Sequence, residues 1–368
     1  MDVDKILENA KQILEKNWNG RFTIPSPTLY PHQWSWDSGF IAIGNSCIIK
    51  LKSKQELLDI INRKVELGAE AIPGIPTYER AGGKAVNVAH CLAKLGIEVT
   101  LLTIANKIGV DIIKDTFSSF GDKINLHVKS GKQGYNTAFE FLDEISKVFL
   151  SDIGDNNKFG PKMVSSEDDL RILSDAAAVA LVDWSSNSLG TELAEHIFKN
   201  SKKALHFIDP GDIQKRKKDV PNLLSVIRDA EGILSVNENE FSSILNVLDF
   251  DSSFLKVKAI EKRNIEEHLK RFAQKVGISI DLHAKQYTAC SNGNYTAFFP
   301  IRKVHVRNLV GAGDSWDAAD IVGYLAGLDP KERLIFSNMY CSLYISSPES
   351  EFATMNEVIQ LLKKQALA

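Results

Sequence analysis

The feature of this sequence that most constrains its fold is an alternation of short apolar runs with longer amphipathic stretches after residue 80. Amphipathic stretches such as 190–200 and 257–275 predict helices. Strands that alternate with helices favour right-handed crossovers and a parallel sheet covered on both faces. The sequence therefore predicts an α/β fold. Its buried strands are expected at 98–105, 178–184, 204–209, 232–237 and 278–284.

Three further apolar runs lie close together at 124–129, 136–142 and 147–153. No stretch long enough to form a helix separates them. Because parallel neighbours need a long crossover connection, runs this close favour antiparallel pairing or edge positions. We expect a few such strands beside the main sheet.

The composition is that of an ordinary globular protein. Of 368 residues, 44% are apolar and 25% charged, a length and balance that allow two or three domains or one large α/β domain. The net charge of −3 provides no overall positive field, so we expect no nucleic-acid or membrane partner. The run from Phe40 to Leu51 is too short to cross a bilayer, and the charged N-terminus lacks the apolar core of a signal peptide. The cysteines are widely spaced, which fits a reducing compartment, and we expect a cytoplasmic protein.

A glycine-rich turn near the C-terminus is the strongest local signal. Gly311, Ala312 and Gly313 lead into an apolar-periodic segment that predicts a helix. Small residues let the backbone approach a ligand, and the first NH groups of a helix have no partner inside it, so together they form an anion pocket. Asp314 lies at the mouth of this pocket. Spacing leaves two interpretations open for it: a helix N-cap, or a base that deprotonates a hydroxyl attacking a phosphoryl group.

A second glycine pair, Gly82 and Gly83, precedes a helix that is expected to start near Ala85 and to end at Gly96. One interpretation is a tight turn before an amphipathic helix. The other is a site where substrate hydroxyls meet backbone NH groups, with Asn87 offering a donor and an acceptor one turn into the helix.

A third polar signal follows the predicted strand at 232–237. Asn237 and Glu240 stand at its carboxyl end, where ligands bind in open α/β sheets. A Glu three residues after an Asn also forms a capping box, which is a purely structural role. The alternative is a Glu that holds Mg²⁺ through water, with the Asn beside a nucleotide phosphate.

These segments, in this order, resemble the signatures of the PfkB (ribokinase-like) carbohydrate kinase family. GGKAVNVAHCLAKLG (82–96) is similar to the first signature, NENE (237–240) to the NxxE motif, and GAGDSWDAADIVGYLAGL (311–328) to the second signature. The strand end IDP (208–210) also fits the family pattern. The resemblance covers about residues 52–368, and its most specific part is the GAGD segment.

The resemblance implies a ribokinase-like three-layer α/β/α fold with a mostly parallel central sheet. A kinase domain is expected over 51–368, with a small β lid from about 65–80 and 130–142. The implied function is an ATP-dependent sugar kinase that uses Mg²⁺, with a homodimer formed through the lid. A nucleoside kinase of the same family and a catalytically impaired nucleotide- or sugar-binding protein stay open as alternatives.

The resemblance also implies roles for individual residues. Asp314 is the general base, and the backbone NH groups of Gly311, Ala312 and Gly313 stabilise charge on the transferring phosphoryl group. The remaining residues are expected to bind ligands. They are Gly82, Gly83 and Asn87 for the sugar, Asn237 for the nucleotide phosphates, Glu240 for Mg²⁺, and Asn338 for the adenine pocket.

Two of the departures from the family pattern concern ligand binding. Asn308 stands where the family usually carries an Asp near a monovalent-cation site, so the sequence does not favour activation by K⁺. The family also begins with a strand whose Asp binds the sugar. The candidates for that strand are 41–51, which lacks an Asp, and 57–61, in which Asp59 is assigned to the sugar.

The first 50 residues have a different character. A helix is expected over 2–16, and the Pro-rich segment 23–44 resembles an N-terminal stretch of GH63-like glucosylglycerate or mannosylglycerate hydrolases. Those barrels are much longer, and the helices that carry their paired carboxylates are missing here. We therefore expect residues 1–50 to be an extension without an independent fold. His32, Trp34, Trp36 and Asp37 in this extension are expected to have no catalytic task.

Overall fold

The computed structural model describes residues 33–38, 48–51, 53–66, 81–141, 146–256, 261–301, 303–348 and 351–366. The helix expected over 2–16 and residues 67–80 of the expected lid lie outside this part of the chain. The strands are β1 (Gln33–Ser38), β2 (Ile48–Leu51), β3 (Glu98–Ala105), β4 (Ile124–Ser130), β5 (Tyr135–Phe141), β6 (Ser146–Asp152), β7 (Ala178–Val182), β8 (Leu205–Asp209), β9 (Ile233–Asn237), β10 (Ser279–His283), β11 (Tyr287–Ser291) and β12 (Thr296–Pro300).

The helices of the described residues cover both faces of the main sheet. They are α1 (Lys54–Glu66), α2 (Lys84–Lys94), α3 (Lys107–Phe117), α4 (Glu167–Asp175), α5 (Gly190–Asn200), α6 (Val220–Asp229), α7 (Glu238–Val247), α8 (Lys262–Val276), α9 (Ala312–Leu325), α10 (Pro330–Ser346) and α11 (Met355–Ala366). None of these helices combines the length and the hydropathy that crossing a bilayer requires.

The strands form two sheets. The main sheet has the order β12-β11-β10-β9-β8-β7-β1-β3-β4, and a small sheet has the order β2-β5-β6. From β4 through β10 the main sheet is parallel, and β11 and β12 join antiparallel at one end. Parallel strands place all their carboxyl ends at one edge, which is where this fold can assemble a site.

Two apolar clusters show that the main sheet lies between two helical layers. Alternate residues of one strand serve opposite layers: Ala178 and Ala180 of β7 pack in the cluster with α2, α9, α10 and α11. Val179 and Leu181 pack in the other cluster with α5, α6, α7 and α8. This alternation follows from the two-residue period of a strand. The three-layer α/β/α fold expected from the sequence is therefore confirmed.

Most strands lie where the apolar runs predicted them. The run 98–105 coincides with β3, and the stretch 190–200 coincides with α5. The three closely spaced runs separate into β4, which is a parallel edge strand of the main sheet, and the antiparallel pair β5 and β6 of the small sheet.

The first strand is the main correction to the sequence-based expectations. Residues 57–61 lie in α1, so the strand expected there is wrong, and Asp59 is exposed and accepts a hydrogen bond of 2.8 Å from Gln55 one turn earlier. The apolar pairs of LLDII recur at helical spacing, which explains the helix. Residues 48–51 form β2 of the small sheet.

The strand that lies between β3 and β7 is β1, which comes from the segment that the sequence assigned to an extension. Its register pairs Trp34 with Val99 on one side and with Ala178 on the other. A middle strand has hydrogen bonds along both edges, so β1 joins the two halves of the main sheet. The sequence did not predict this strand.

A proline within β1 tests its position. Ser35→Pro removes a backbone donor in the middle of the sheet and should lower the free energy of unfolding by about 3 kcal/mol or more. Ser35→Thr, which keeps the donor and suits a strand, should be within about 1 kcal/mol of the wild type. Urea denaturation measures both. Equal stability of the proline variant and the wild type would contradict a middle position for β1.

Candidate active site

The candidate site lies at the carboxyl edge of the parallel strands. Asp209 ends β8, Asn237 ends β9, and Asp183 directly follows β7. The N-terminal ends of α2 and α9 bring Asn87 and Asp314 to the same edge. Polar side chains from five separate elements therefore meet where a parallel sheet is open to ligands.

The contact between Asn87 and Asp314 is the centre of this site. Asn87 Nδ2 donates a hydrogen bond of 2.6 Å to Asp314 Oδ2. Both side chains are buried, although 227 residues separate them in the sequence. The structure therefore brings together the polar residues of the two glycine-containing segments that the sequence singled out.

Lys84 links this pair to a second carboxylate. Its Nζ forms an ion pair with Asp209 and lies 3.8 Å from Asp314 Oδ1. Burial disfavours the charge of Lys84, but the carboxylates of Asp209 and Asp314 outweigh it and raise its pKa well above the ordinary value. Lys84 is therefore a fixed positive charge between two acids.

The turn before α9 depends on glycine. Gly311 has φ 89° and ψ 0° and acts as the N-cap of α9. A Cβ atom there would lie 2.9 Å from Tyr344 Oη, so both the backbone conformation and the space exclude a larger residue. Because the next residues begin the helix, their NH groups have no partners inside it, and the Ala312 NH group contacts the Leu309 carbonyl oxygen at 3.4 Å.

The pKa of Asp314 is raised, mainly because the side chain is buried. Removal from water raises the pKa of Asp314, and the Lys84 ammonium and the Asn87 amide oppose this rise. An acid with a raised pKa is a stronger base when ionised. Its role as N-cap, the other interpretation from the sequence, belongs instead to Gly311.

Asp209 and Asp317 form a pair of buried acids close to Lys84. Burial and the charge of Asp209 raise the pKa of Asp317 well above the ordinary value. Burial would also raise the pKa of Asp209, but Lys84 and hydrogen bonds from Asp317 and the Gly211 NH group hold it below the usual range. Asp317 Oδ1 also accepts a hydrogen bond of 2.5 Å from Ser235 Oγ. The two pKa values therefore shift in opposite directions, and Asp209 is the more acidic member of the pair.

Asn237 and Glu240 form the capping box that the sequence left as one interpretation. Asn237 Oδ1 accepts from the NH groups of Asn239 at 2.9 Å and Glu240 at 3.1 Å, and Glu240 Oε2 accepts from the Asn237 NH group at 2.9 Å. Burial, with the charge of Asp209, raises the pKa of Glu240 to about 8. The charge of Glu240 also acts on Lys84, so the capping box borders the same cluster.

The donor set fits a magnesium ion that is held mostly by phosphate and water. Among the described residues no group of three metal-ligating side chains is preassembled. Mg²⁺ usually keeps several waters and takes one or two carboxylates together with substrate phosphates. The side chain of Glu240, beside the surplus of acids around Lys84, offers such a carboxylate.

Two predicted site residues have structural partners away from this cluster. Asn338 Oδ1 accepts from Trp316 Nε1 at 3.1 Å, and its Nδ2 donates to Thr288 Oγ1 at 2.9 Å, so its amide ties α9 and α10 to β11. Asp59 lies on α1, and no described contact joins it to the cluster. The assignment of Asp59 to the sugar loses its basis with the strand on which it rested.

Asn308 lies next to the glycine turn and is held by carbonyl groups. Its Nδ2 donates to the carbonyl oxygens of Tyr344 at 3.2 Å and Ser347 at 2.6 Å. An amide nitrogen supplies hydrogen-bond donors where a carboxylate would supply negative charge. The departure from the family pattern at this position is therefore a change of chemistry as well as of residue.

Sequence reasoning missed Lys84, Asp209 and Asp317 as members of the site. A signal was present for Lys84, since a lysine in the first turn of a helix opposes the helix dipole and needs a compensating anion. Asp209 was visible as a strand end. Asp317 had no signal, because its role depends on Ser235, a residue 82 positions away.

A three-layer α/β/α domain with an acid at a helical anion turn has the parts that phosphoryl transfer requires. The chain belongs to the pfkB family of carbohydrate kinases, whose family model matches residues 57–356. Enzymes of this family transfer a phosphoryl group to an alcohol acceptor, and this chain is a kinase of that class.

Solved structures with the same fold cover nearly the whole chain. The ribokinase of Arabidopsis thaliana complexed with ribose and ATP has a TM-score of 0.67 at 20% identity, with 91% of this chain and 99% of that chain covered. A ribokinase II from E. coli in complex with ATP and Mg²⁺ has a TM-score of 0.65 at 16% identity, with 90% and 99% covered. The adenosine kinase of Sinorhizobium meliloti has a TM-score of 0.67 at 13% identity, with 90% and 98% covered.

Shorter similarities point to a different group of proteins. The mannosylglycerate hydrolase of Rubrobacter radiotolerans is 30% identical over 117 residues, covering 26% of each chain. The mannosylglycerate hydrolase of Thermus thermophilus is 47% identical over 49 residues, covering 13% of this chain and 12% of that one. The chain thus spans about a quarter or less of these curated relatives.

The pH dependence of stability tests the environment of Asp183. Burial, helped by the charge of Asp209 and opposed by Lys84, raises the pKa of Asp183 to about 7. The native state then binds more protons than the unfolded chain between the ordinary carboxyl pKa and about pH 7, so stability falls as pH rises through this range. Asp183→Asn, which also tolerates the left-handed backbone at this position, should reduce the fall by on the order of 2 kcal/mol.

Urea denaturation at about pH 5 and about pH 8 measures this difference. Asp122→Asn, at an exposed position, is the matched control and should behave as the wild type does. Part of the fall should persist in Asp183→Asn because Glu240 also has a raised pKa. An unchanged fall in Asp183→Asn would show that Asp183 is ionised in the native protein at neutral pH.

Proposed function

We propose that this chain is an ATP-dependent sugar kinase in which Asp314 is the general base. The contact of Asp314 with Asn87, at the N-terminal end of α9 and beside Lys84, carries the proposal. This contact supports a site in which a proton acceptor, a polar group suited to hydroxyls and a helical anion turn lie close together.

The proposed reaction moves one proton and one phosphoryl group. Asp314 takes the proton of the acceptor hydroxyl, whose oxygen forms a bond to the γ-phosphorus while the bond to the β-phosphate oxygen breaks and ADP leaves. NH groups of Gly311, Ala312 and Gly313 stabilise the charge on the transferring group. Mg²⁺, held by Glu240 through water and by the phosphates, would neutralise phosphate charge when bound.

Lys84 has a separate task in this scheme. As an ammonium between Asp209 and Asp314, it offsets the negative charge that would otherwise repel an incoming polyphosphate. Asn87 holds Asp314 through its amide NH group and keeps its carbonyl oxygen for a substrate hydroxyl. These two residues position the base, and Gly82 and Gly83 are proposed to contact the sugar from the turn before α2.

Replacement of the base tests the proposed function. Asp314→Asn should lower kcat by about 10²- to 10⁴-fold, because the amide cannot accept the proton, with little change in the KM for ATP. The measurement is phosphorylated product formed from a panel of sugars. Asp111→Asn, an exposed substitution on α3, is the control. Wild-type turnover in Asp314→Asn would rule out the role given to this residue.

The acceptor panel also addresses the alternatives. The carbohydrate kinase family favours a sugar, whereas the likeness to an adenosine kinase shows only a shared fold. Product from nucleosides alone would favour the nucleoside kinase. Nucleotide binding without any product would favour a catalytically impaired binding protein. This alternative is considered because the first strand departs from the family pattern.

We further propose that the small sheet acts as a lid and pairs with a second copy of the chain. Its edge strand β6 exposes Val148, Phe149 and Leu150, with 38%, 42% and 63% of their surfaces accessible. An exposed apolar edge strand is a template for strand pairing. A dimer would cover both the apolar side chains and the open backbone of β6.

A charged residue on this strand tests the dimer. Leu150→Glu should shift the protein from dimer to monomer, measured by light scattering after gel filtration at micromolar concentration. Ile108→Glu places the same charge at another exposed apolar position, 65% accessible on α3, and should leave the mass unchanged. A wild-type protein that is already monomeric would remove this proposal.

A cytoplasmic location is proposed on the chemistry of the cysteines. Cys91 and Cys290 are buried, and neither forms a disulfide in the described part of the chain. Buried free cysteines are usual in reducing compartments.

A further inference from the structure

The small sheet of β2, β5 and β6 forms hydrogen bonds with Leu309 and Val310, in the loop that leads into the anion turn. Glu140 of β5 and Lys147 of β6 are direct cross-strand partners. Glu140 Oε1 accepts hydrogen bonds from the NH groups of Leu309 at 2.6 Å and Val310 at 2.7 Å. Lys147 Nζ donates to the carbonyl oxygen of Leu309 at 3.0 Å. One acid and one base on adjacent strands thus bind both polar groups of the same peptide segment.

The segment of Leu309 and Val310 directly precedes the site. Val310 is followed by Gly311, which is the N-cap of α9, and Asp314 lies in the first turn of that helix. On the core side, Tyr344 Oη donates to the Val310 carbonyl oxygen. The loop is therefore held between α10 and the small sheet.

The two contacts differ in strength. Glu140 is 1% exposed, and a buried carboxylate that accepts two short bonds from NH groups is strongly stabilised by them. If the loop moved away, the carboxylate would be left buried with those bonds broken, which is costly. Much of the Lys147 side chain is exposed, although burial of its ammonium lowers its pKa, and its one bond to a neutral carbonyl oxygen is weaker than the two bonds that Glu140 accepts. Glu140 should carry the larger share.

We propose that Glu140 and Lys147 are positioning residues that couple the small sheet to the anion turn. When the small sheet is in place, their contacts fix Leu309 and Val310 and thereby the orientation of the NH groups at Gly311, Ala312 and Gly313. This inference deepens the proposed function and rests on it for its effect on catalysis. It predicts an effect on kcat with little effect on the KM for ATP, because the transferring group is held mainly in the transition state.

Kinetics of three variants test the coupling. Glu140→Ala should lower kcat by about tenfold or more, and Lys147→Met by about two- to threefold, with the KM for ATP changed less than about threefold. Glu140→Gln keeps an oxygen acceptor at the same place and should restore most of the activity lost in Glu140→Ala. Lys132→Met, which removes a cation paired with Asp152 of β6 at 2.7 Å, is the control and should match the wild type.

Hydrogen exchange provides a readout that needs no kinase activity. In Glu140→Ala, amide exchange should rise at 309–310 and also through 311–315, while β8, residues 205–209, keeps its wild-type protection. A rise confined to 309–310, or a rise throughout the molecule that includes β8, would overturn the coupling. Unchanged kcat in both Glu140→Ala and Lys147→Met would do the same.

The same experiment separates this inference from the proposed function. If the wild-type protein phosphorylates no sugar or nucleoside, the proposed function fails. The exchange pattern at 311–315 would still decide whether Glu140 holds the turn. If the wild type is active and the exchange pattern does not spread into α9, the proposed function stands and the coupling is wrong.

Discussion

The ion pair between Lys84 and the acids around it is the interaction on which the site depends. Asp183, Asp209, Glu240, Asp314 and Asp317 all lie close enough to influence the Lys84 charge or to be influenced by it. Buried carboxylates that lie close together repel one another, which raises their pKa values and favours their protonated forms. The Lys84 ammonium at the start of α2 lowers the pKa of Asp209 and limits the rise in the pKa of Asp314. The cluster can therefore contain a carboxylate that acts as a base.

Helix α9 distributes three acids along one buried face. Asp314, Asp317 and Asp320 are spaced by three residues, and each meets a different neutralising partner. Asp314 meets Asn87 and Lys84, and Asp317 lies close to Asp209 and accepts a hydrogen bond from Ser235. Asp320 pairs with Arg333, which also holds Asp281 through two bonds of 3.0 Å. A helix with so many buried charges is stable only when every partner is in place. The first turn of α9 is therefore anchored by polar contacts as well as by apolar packing.

The sequence predicted the parts of the fold that depend on local pattern. Strands such as β3 and helices such as α5 follow from the period of apolar residues, and the glycine turn at 311–313 follows from composition. The pairing of Asn87 with Asp314 could be expected only through the family resemblance. The roles of Asp317 and Glu140 depend on Ser235 and on the loop at Leu309, which lie far away in sequence, so no local pattern marked them.

The error over the first strand has a physical cause. Residues 57–61 are apolar enough for a strand, but their spacing also suits a helix, and short apolar runs do not distinguish the two. Residues 33–38 alternate polar and aromatic residues, a strand pattern that the surrounding prolines and the hydrolase resemblance obscured. The resemblance to one fold does not fix backbone geometry in another, because a strand is defined by the edges available to pair with it. The gap between β3 and β7 offers two such edges, and β1 occupies it.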